Sequence, residues 1–252
     1  MTGFGIGASV KRCEDLRLLT GQGRYAEDCN APGQAHAAFV RSPHAHADVV
    51  AIDAAPARAV AGVLGVFTGR DLIGGGVGAI PTLIAERGGG IWNRDGSPFA
   101  EPIWHPLATK IVRHVGEPVA LVVATTPAAA RDGAEAVMVR YAGRSAIVDA
   151  VAALTEGAPQ LHDGVVKNRA YDWECSDPDA TARAIGTAAH VARLTLVDNR
   201  LITCFMEPRA ALAEWDAGAG RYTPSIPGFR ACIRSRRISR VSSASRPSTS
   251  AA

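Results

Sequence analysis

KIVRHVGEPVALVVATT (110–126), followed by PAAARDGAEAVMVRYAG (127–143), decides the fold. The first stretch reads as two strands divided at Gly116. The second of them, PVALVVA, is apolar on both faces, the mark of a buried central strand. Thr126-Pro127 then supplies an N-cap and a first helical residue. A helix over AAARDGAEAV follows, with Gly133 a weak point in it, and MVRYAG (138–143) returns as a strand. This alternation predicts a mixed α+β domain.

Working outward, GQAHAAFVRS (33–42), DVVAIDA (48–54) and VLGVFTG (63–69) read as strands bounded by Gly and Pro signals. PARAVAG (56–62) fits one or two helical turns behind Pro56. Residues 73–101 read as a Gly-rich surface excursion, longer than the about 12–15 residues usual for an unstructured connection. Residues 1–19 read as an arm. ALTEGAPQLHDGVVKN (153–168) is Pro/Gly-punctuated, as linkers are. A short helix capped near Asp177 is expected, then two or three strands within 190–223, with turns at Asp198-Asn199 and Gly218–Gly220.

Composition changes at Thr223. Residues 224–252 hold six Arg, eight Ser and no acid. They therefore supply six of the 27 basic residues and none of the 24 acids, leaving residues 1–223 with 21 basic against 24 acidic side chains. The net charge of +3 belongs to the tail, and the body gives no electrostatic reason to expect a specific nucleic-acid partner. The tail reads either as a shifted reading frame or as a basic, disordered extension. Five scattered cysteines, none in C-x-x-C, suggest reduced thiols. With no apolar run of about 20 residues, no membrane span is expected, and a cytoplasmic location is the expectation.

The candidate chemistry is sparse. His44 and His46 stand two apart in SPHAHA; on a strand they would share a face, as two metal ligands can, but no third ligand is signalled nearby. Gly3, Gly5 and Gly7 lack the preceding strand that a phosphate loop needs. Glu117 is either a carboxylate of raised pKa or a turn acid bonding backbone N–H groups. Glu207 and Arg209 flank Pro208 as a pair that fixes a strand end or lines a cavity. Cys204 has no neighbouring His or Lys in sequence and reads as a structural thiol. No residue is assigned a catalytic, cofactor-binding or metal-binding role.

Four blocks, and the spacing between them, carry a resemblance: VKRCEDLRLLTGQGRYAEDCNAPGQAHAAFVRSPHAHADVVAIDAA (10–55), GVLGVFTGRDL (62–72), LATKIVRHVGEPVALVVA (107–124) and MEPRAALAEWD (206–216). The chain resembles the large subunits of the xanthine dehydrogenase/aldehyde oxidase family of molybdenum hydroxylases, carbon monoxide dehydrogenase-type chains included. The resemblance implies a layout: an arm (1–19), an α/β hammerhead domain (20–150), a linker (151–165), the first antiparallel strands of a truncated molybdopterin-binding domain (166–223) and the tail (224–252). It also implies a molybdenum–molybdopterin dinucleotide in the intact enzyme, with an FAD-binding medium subunit and a 2Fe-2S small subunit as partners. The family's later cofactor loops and its catalytic Glu have no counterpart here, so this stretch is expected to bind no cofactor and to be inactive alone. YAGRS (141–145) also replaces the family's Tyr-Glu-Pro-Leu-Pro-like turn.

Overall fold

The computed structural model describes residues 11–23, 26–82, 92–198, 201, 204, 209–218 and 220–225. Gly3, Gly5, Gly7, Asn199, Glu207, Cys232 and the tail beyond Ser225 lie outside them. In chain order the elements are α1 (Asp15–Leu19), β1 (His36–Arg41), β2 (Ala47–Asp53), α2 (Ala55–Arg58), β3 (Val63–Thr68), α3 (Gly69–Gly74), β4 (Ile111–Val112), β5 (Pro118–Ala124), α4 (Pro127–Ala136), β6 (Met138–Gly143), α5 (Pro178–Gly186), β7 (Leu212–Asp216) and β8 (Arg221–Ser225). The chain divides into two units, one of residues 35–200 with 240–252 and one of residues 1–34 with 201–239.

The first unit is built on two three-stranded antiparallel sheets, β1-β5-β3 and β4-β2-β6. PVALVVA is the middle strand of its sheet, with Val122 opposite Ala38 on one side and Val66 on the other. Val119, Ala120, Val122 and Ala124 are fully buried, as a strand apolar on both faces requires. One core cluster joins Ala54, Ala57, Val66, Val122 and Val137; a second joins Ala47, Ala108, Val112 and Val119. Val40 and Val139 pack against both clusters. The α+β class read from the sequence is the class observed.

Helix α4 starts where the sequence places it. The Thr126 hydroxyl accepts from the Ala129 N–H at 3.1 Å, and Pro127 takes the first position. Gly133, read as a weak point, has a packing reason instead. It is buried, and a Cβ there would lie 2.8 Å from Val63 Cγ2 and 2.9 Å from Val122 Cγ1. Both neighbours are β-branched and stiff. Gly133→Ala, which would gain roughly 1 kcal/mol in an open helix, is therefore expected to lose about 1–3 kcal/mol through overpacking. Urea denaturation checks this; a variant as stable as the parent would show that α4 can lift off the sheet freely.

Helix α3 was not anticipated, because its residues border the Gly-rich stretch. Its start is a capping box. The Asp71 carboxylate accepts from the Thr68 N–H at 2.7 Å and the Thr68 hydroxyl at 2.6 Å, and Thr68 faces the Asp71 N–H in return. The hydroxyl contact, then the backbone one, holds the Asp71 carboxyl below its ordinary pKa. Gly69 is buried under the backbone of a later segment, where a Cβ would meet the Leu107 carbonyl oxygen at 2.7 Å.

The stretch expected as a linker is fastened along its length. Arg113 Nε donates to the Leu161 carbonyl at 2.6 Å. Asn168 accepts from the Leu161 N–H at 2.8 Å and donates to the carbonyls of Ala153 and Pro159 at 3.0 and 2.9 Å. Further on, the Arg94 N–H donates to the Asp172 carbonyl and the Ala100 N–H to the Ala170 carbonyl, at 2.9 and 2.8 Å. Phe99 stacks on Tyr171 with ring centroids 5.0 Å apart. The second half of the excursion is thus tied to residues 170–172.

Helix α5 is capped by Asp177, whose carboxylate accepts from the Ala180 N–H at 2.8 Å. The strand expected after it is not formed over residues 190–198, where Leu194, Leu196 and Val197 are exposed. Alternation alone does not make a strand without a partner for the ladder. In the second unit, β7 and β8 pair antiparallel with Trp215 opposite Tyr222, their rings 4.6 Å apart. The hairpin turns at the Gly218–Gly220 stretch, and β8 runs to Ser225, two residues past the change of composition.

Candidate functional site

The polar side chains of the first unit collect around the β4–β5 turn and the entry to β2. Gly116 makes that turn with φ +85°, a left-handed conformation suited to glycine. The loop is closed on both sides. The Gly116 N–H donates to the Ser42 carbonyl at 2.7 Å, and the Ser42 N–H donates to the Glu117 carbonyl at 2.9 Å. Arg41 Nη1 donates to the Gly116 carbonyl at 2.8 Å.

Glu117 is buried, with 7% of its surface exposed. Its carboxylate accepts a short hydrogen bond from the Arg113 N–H, and His114 Nδ1 lies 3.6 Å from the same oxygen. Of its two sequence readings, this geometry is that of an acid bonding the backbone of its own turn.

His44 and His46 do not form a pair of ligands, because they precede β2 rather than lie on it. His44 is exposed and tilts against the Tyr141 ring at 4.9 Å. His46 is 5% exposed, and its Nδ1–H donates to the Ser145 carbonyl at 2.8 Å. That bond fixes the tautomer and leaves Nε2 as an acceptor; among the described residues it has no partner. The Tyr141 hydroxyl is likewise buried; burial pushes its pKa up, and the Ser42 side chain offsets part of that rise. Beside them, Arg144 holds Asp48 with both ends of its fork, at 2.6 and 2.8 Å. The Arg144 hydrogen bond keeps the Asp48 carboxyl below its ordinary range. YAGRS (141–145) thus contributes both an ion-pairing arginine and the carbonyl that His46 holds.

His162 completes the group, and the sequence reading passed over it because it sits in the expected linker. Burial first, then the Arg113 guanidinium, lowers its pKa from 6.5. Among the described residues, no group of three or more His, Cys, Asp and Glu side chains could hold a metal ion. Arg209 and Cys204 are exposed, so Cys204 is not packed in a core. Glu207, the partner expected for Arg209, and the Gly3, Gly5, Gly7 loop lie outside the described residues. Cys13, Cys29 and Cys175 are exposed. No helix among the described residues is long and apolar enough to cross a membrane.

The two three-stranded antiparallel sheets, the buried β5 and the capped α4 make a mixed α+β domain. Residues 20–145 match the aldehyde oxidase and xanthine dehydrogenase a/b hammerhead domain, and the chain belongs to that family. It is similar to the nicotine 6-hydroxylase large subunit of Paenarthrobacter nicotinovorans, with 35% identity over 84% of this chain and 24% of that protein. Among solved structures it is similar to quinoline 2-oxidoreductase from Pseudomonas putida 86, with TM-score 0.72 and 34% identity over 88% of this chain and 26% of that one. It is also similar to the Cu,Mo-CO dehydrogenase, with TM-score 0.75 and 28% identity over 93% of this chain and 29% of the other. The chain spans about a quarter of the length of the curated relatives it matches. It resembles the N-terminal part of molybdenum hydroxylase large subunits.

Proposed function

We propose that these 252 residues supply the scaffold of a molybdenum hydroxylase large subunit and do not themselves hold the reactive centre. The observation that carries this is the extent of the likeness: most of this chain, but about a quarter of each relative. In this reading residues 20–150 are the hammerhead and 166–223 open the molybdopterin-binding domain. An FAD-binding subunit and a 2Fe-2S subunit are the partners of the whole enzyme.

Four arginines of the first unit are already engaged with protein groups, which supports the scaffold reading. A pyrophosphate needs free donors. Arg94 is occupied by Asp172 and Glu174, Arg144 by Asp48, Arg169 by Asp172 and Arg113 by carbonyl groups. The role of these four arginines is therefore structural: ion pairs and hydrogen bonds within the domain. The test is metal analysis of the purified 252-residue chain, produced in a host that makes the molybdenum cofactor. Molybdenum far below one per chain is expected, with no turnover of aldehyde, purine or CO. Stoichiometric molybdenum would overturn the proposal.

A further inference from the structure

No residue between Asp177 and Asp198 is buried. Helix α5 has no buried side chain, and Ile185 on it is half exposed. Beyond it, every residue from His190 to Asp198 is exposed, with Leu194, Leu196 and Val197 at 81, 79 and 83%. Among the described residues no backbone hydrogen bond joins 190–198 to another segment. An alternating run carrying Val191, Thr195 and Val197, with its N–H and C=O groups unmet, is a strand that lacks its neighbour.

The order of its residues says which neighbour suits it. Laid antiparallel against a second copy of itself about Leu194, HVARLTLVD (190–198) sets Leu194 opposite Leu194, Ala192 opposite Leu196, Val191 opposite Val197, Arg193 opposite Thr195 and His190 opposite Asp198. Residues directly opposite in an antiparallel pair share a face and touch. One face of the ribbon is then a continuous apolar strip, made of Ala192, Leu194 and Leu196 from each copy. A His190–Asp198 contact closes the strip at both ends. The imidazole has an N–H for that carboxylate in either tautomer, and no like charges meet. Registers displaced by one or two residues in either direction lose this match. Each of them sets His190, Arg193 or Asp198 opposite an apolar side chain.

We propose that residues 190–198 are a self-pairing strand through which the chain forms a two-fold dimer. Such a contact uses the same patch on both copies, so it closes at two chains. A two-stranded ribbon is marginal in water unless a helix covers it. Helix α5 ends at Gly186, just before the strand, with Ile185 uncovered; the α5 of each copy is the helix placed to supply that cover. At about 3.4 Å per residue the ribbon is about 30 Å long, which puts the contact at the small end of specific interfaces. The dimer is therefore weak, with dissociation in the micromolar range.

Sedimentation equilibrium of the full chain tests this, at concentrations from about 1 to about 100 μM. The average mass should rise from one chain toward two and no further. His190→Glu sets a carboxylate against Asp198 twice per dimer and should weaken association about tenfold. Adding Asp198→Lys to that variant restores opposite charges and should recover the parent affinity. Leu194→Lys brings two ammonium groups together at the two-fold axis and should leave a monomer. Because no residue of 190–198 is buried, none of these changes reaches the core clusters; unchanged circular dichroism and urea midpoints check that. A parent that stays monomeric at every concentration would overturn the proposal and leave the strand to a different polypeptide. Open-ended association would overturn it too, since that is general stickiness and not a closed pair. So would a dimer that His190→Glu and Leu194→Lys leave intact, since it is made by another surface.

Discussion

Leu107→Ala is expected to lower the stability of the hammerhead by about 2–5 kcal/mol, the range for emptying a fully buried leucine site. Leu107 is 1% exposed and is among the largest fully buried side chains, beside Val112, Val119 and Val122. It is held from both directions. The next residue, Ala108, donates its N–H to the Pro118 carbonyl at 2.8 Å, which docks the segment on β5. The Leu107 carbonyl lies where a Cβ on Gly69 would be, 2.7 Å away, so α3 closes over the same backbone. With the main chain pinned on two sides, the site cannot collapse onto the space left by three missing carbons. That places the loss toward the upper part of the range. Against a typical domain stability of about 5–15 kcal/mol, the variant should unfold at a much lower urea midpoint with an unchanged slope. Leu107→Met, which keeps the volume, should cost less than about 1.5 kcal/mol. Equal losses for the two variants would show that the shape of the leucine, not the filled volume, is what matters there.

Leu107 also shows where the sequence stops being legible. β5 could be read because seven consecutive residues are apolar on both faces, and α4 because Thr126-Pro127 is a start signal. Leu107 lies outside any regular element, between Pro106 and Ala108, where no period can mark it as core. Helix α3 was hidden by Gly69 and Gly74, although Thr68-x-x-Asp71 is a capping-box pattern that could have located it. α1 was hidden inside charged residues read as an arm, and none of its residues is buried. The strand expected near 190–198 failed for the opposite reason: its alternation is real, but a ladder needs a partner. At the polar end, His44 and His46 were visible as a pair but not as a buried and an exposed ring. His162 was invisible because Pro and Gly around it spell a linker. What fastens that stretch is Arg113, 48 residues earlier, a contact with no local signature.

The Asn168 contacts convert this hidden fastening into a second large effect. Asn168→Ala removes one accepted and two donated hydrogen bonds, to Leu161, Ala153 and Pro159. At about 1 kcal/mol net for each, the 153–168 segment should lose about 2–4 kcal/mol of local stability. The backbone adds to this. Asn168 has φ +54°, and Lys167 before it φ +55°; asparagine accepts the left-handed region far better than alanine does. Asn168→Gly separates the two contributions, because glycine takes that φ without strain but makes none of the three bonds. The glycine variant should therefore lie between parent and alanine variant. Asn168→Asp should keep the bond accepted from the Leu161 N–H and lose both donors, setting its carboxylate against two carbonyl oxygens. The damage should be local. Limited proteolysis at neutral pH is expected to cut Asn168→Ala within residues 144–168 about tenfold or more faster than the parent, since 1.4 kcal/mol is already tenfold in the open population. The β5 core should stay intact in the products. Parent-like cutting of the alanine variant would mean that the Arg113 and His46 contacts hold residues 144–168 by themselves, and that the three side-chain bonds of Asn168 add little to a segment already secured.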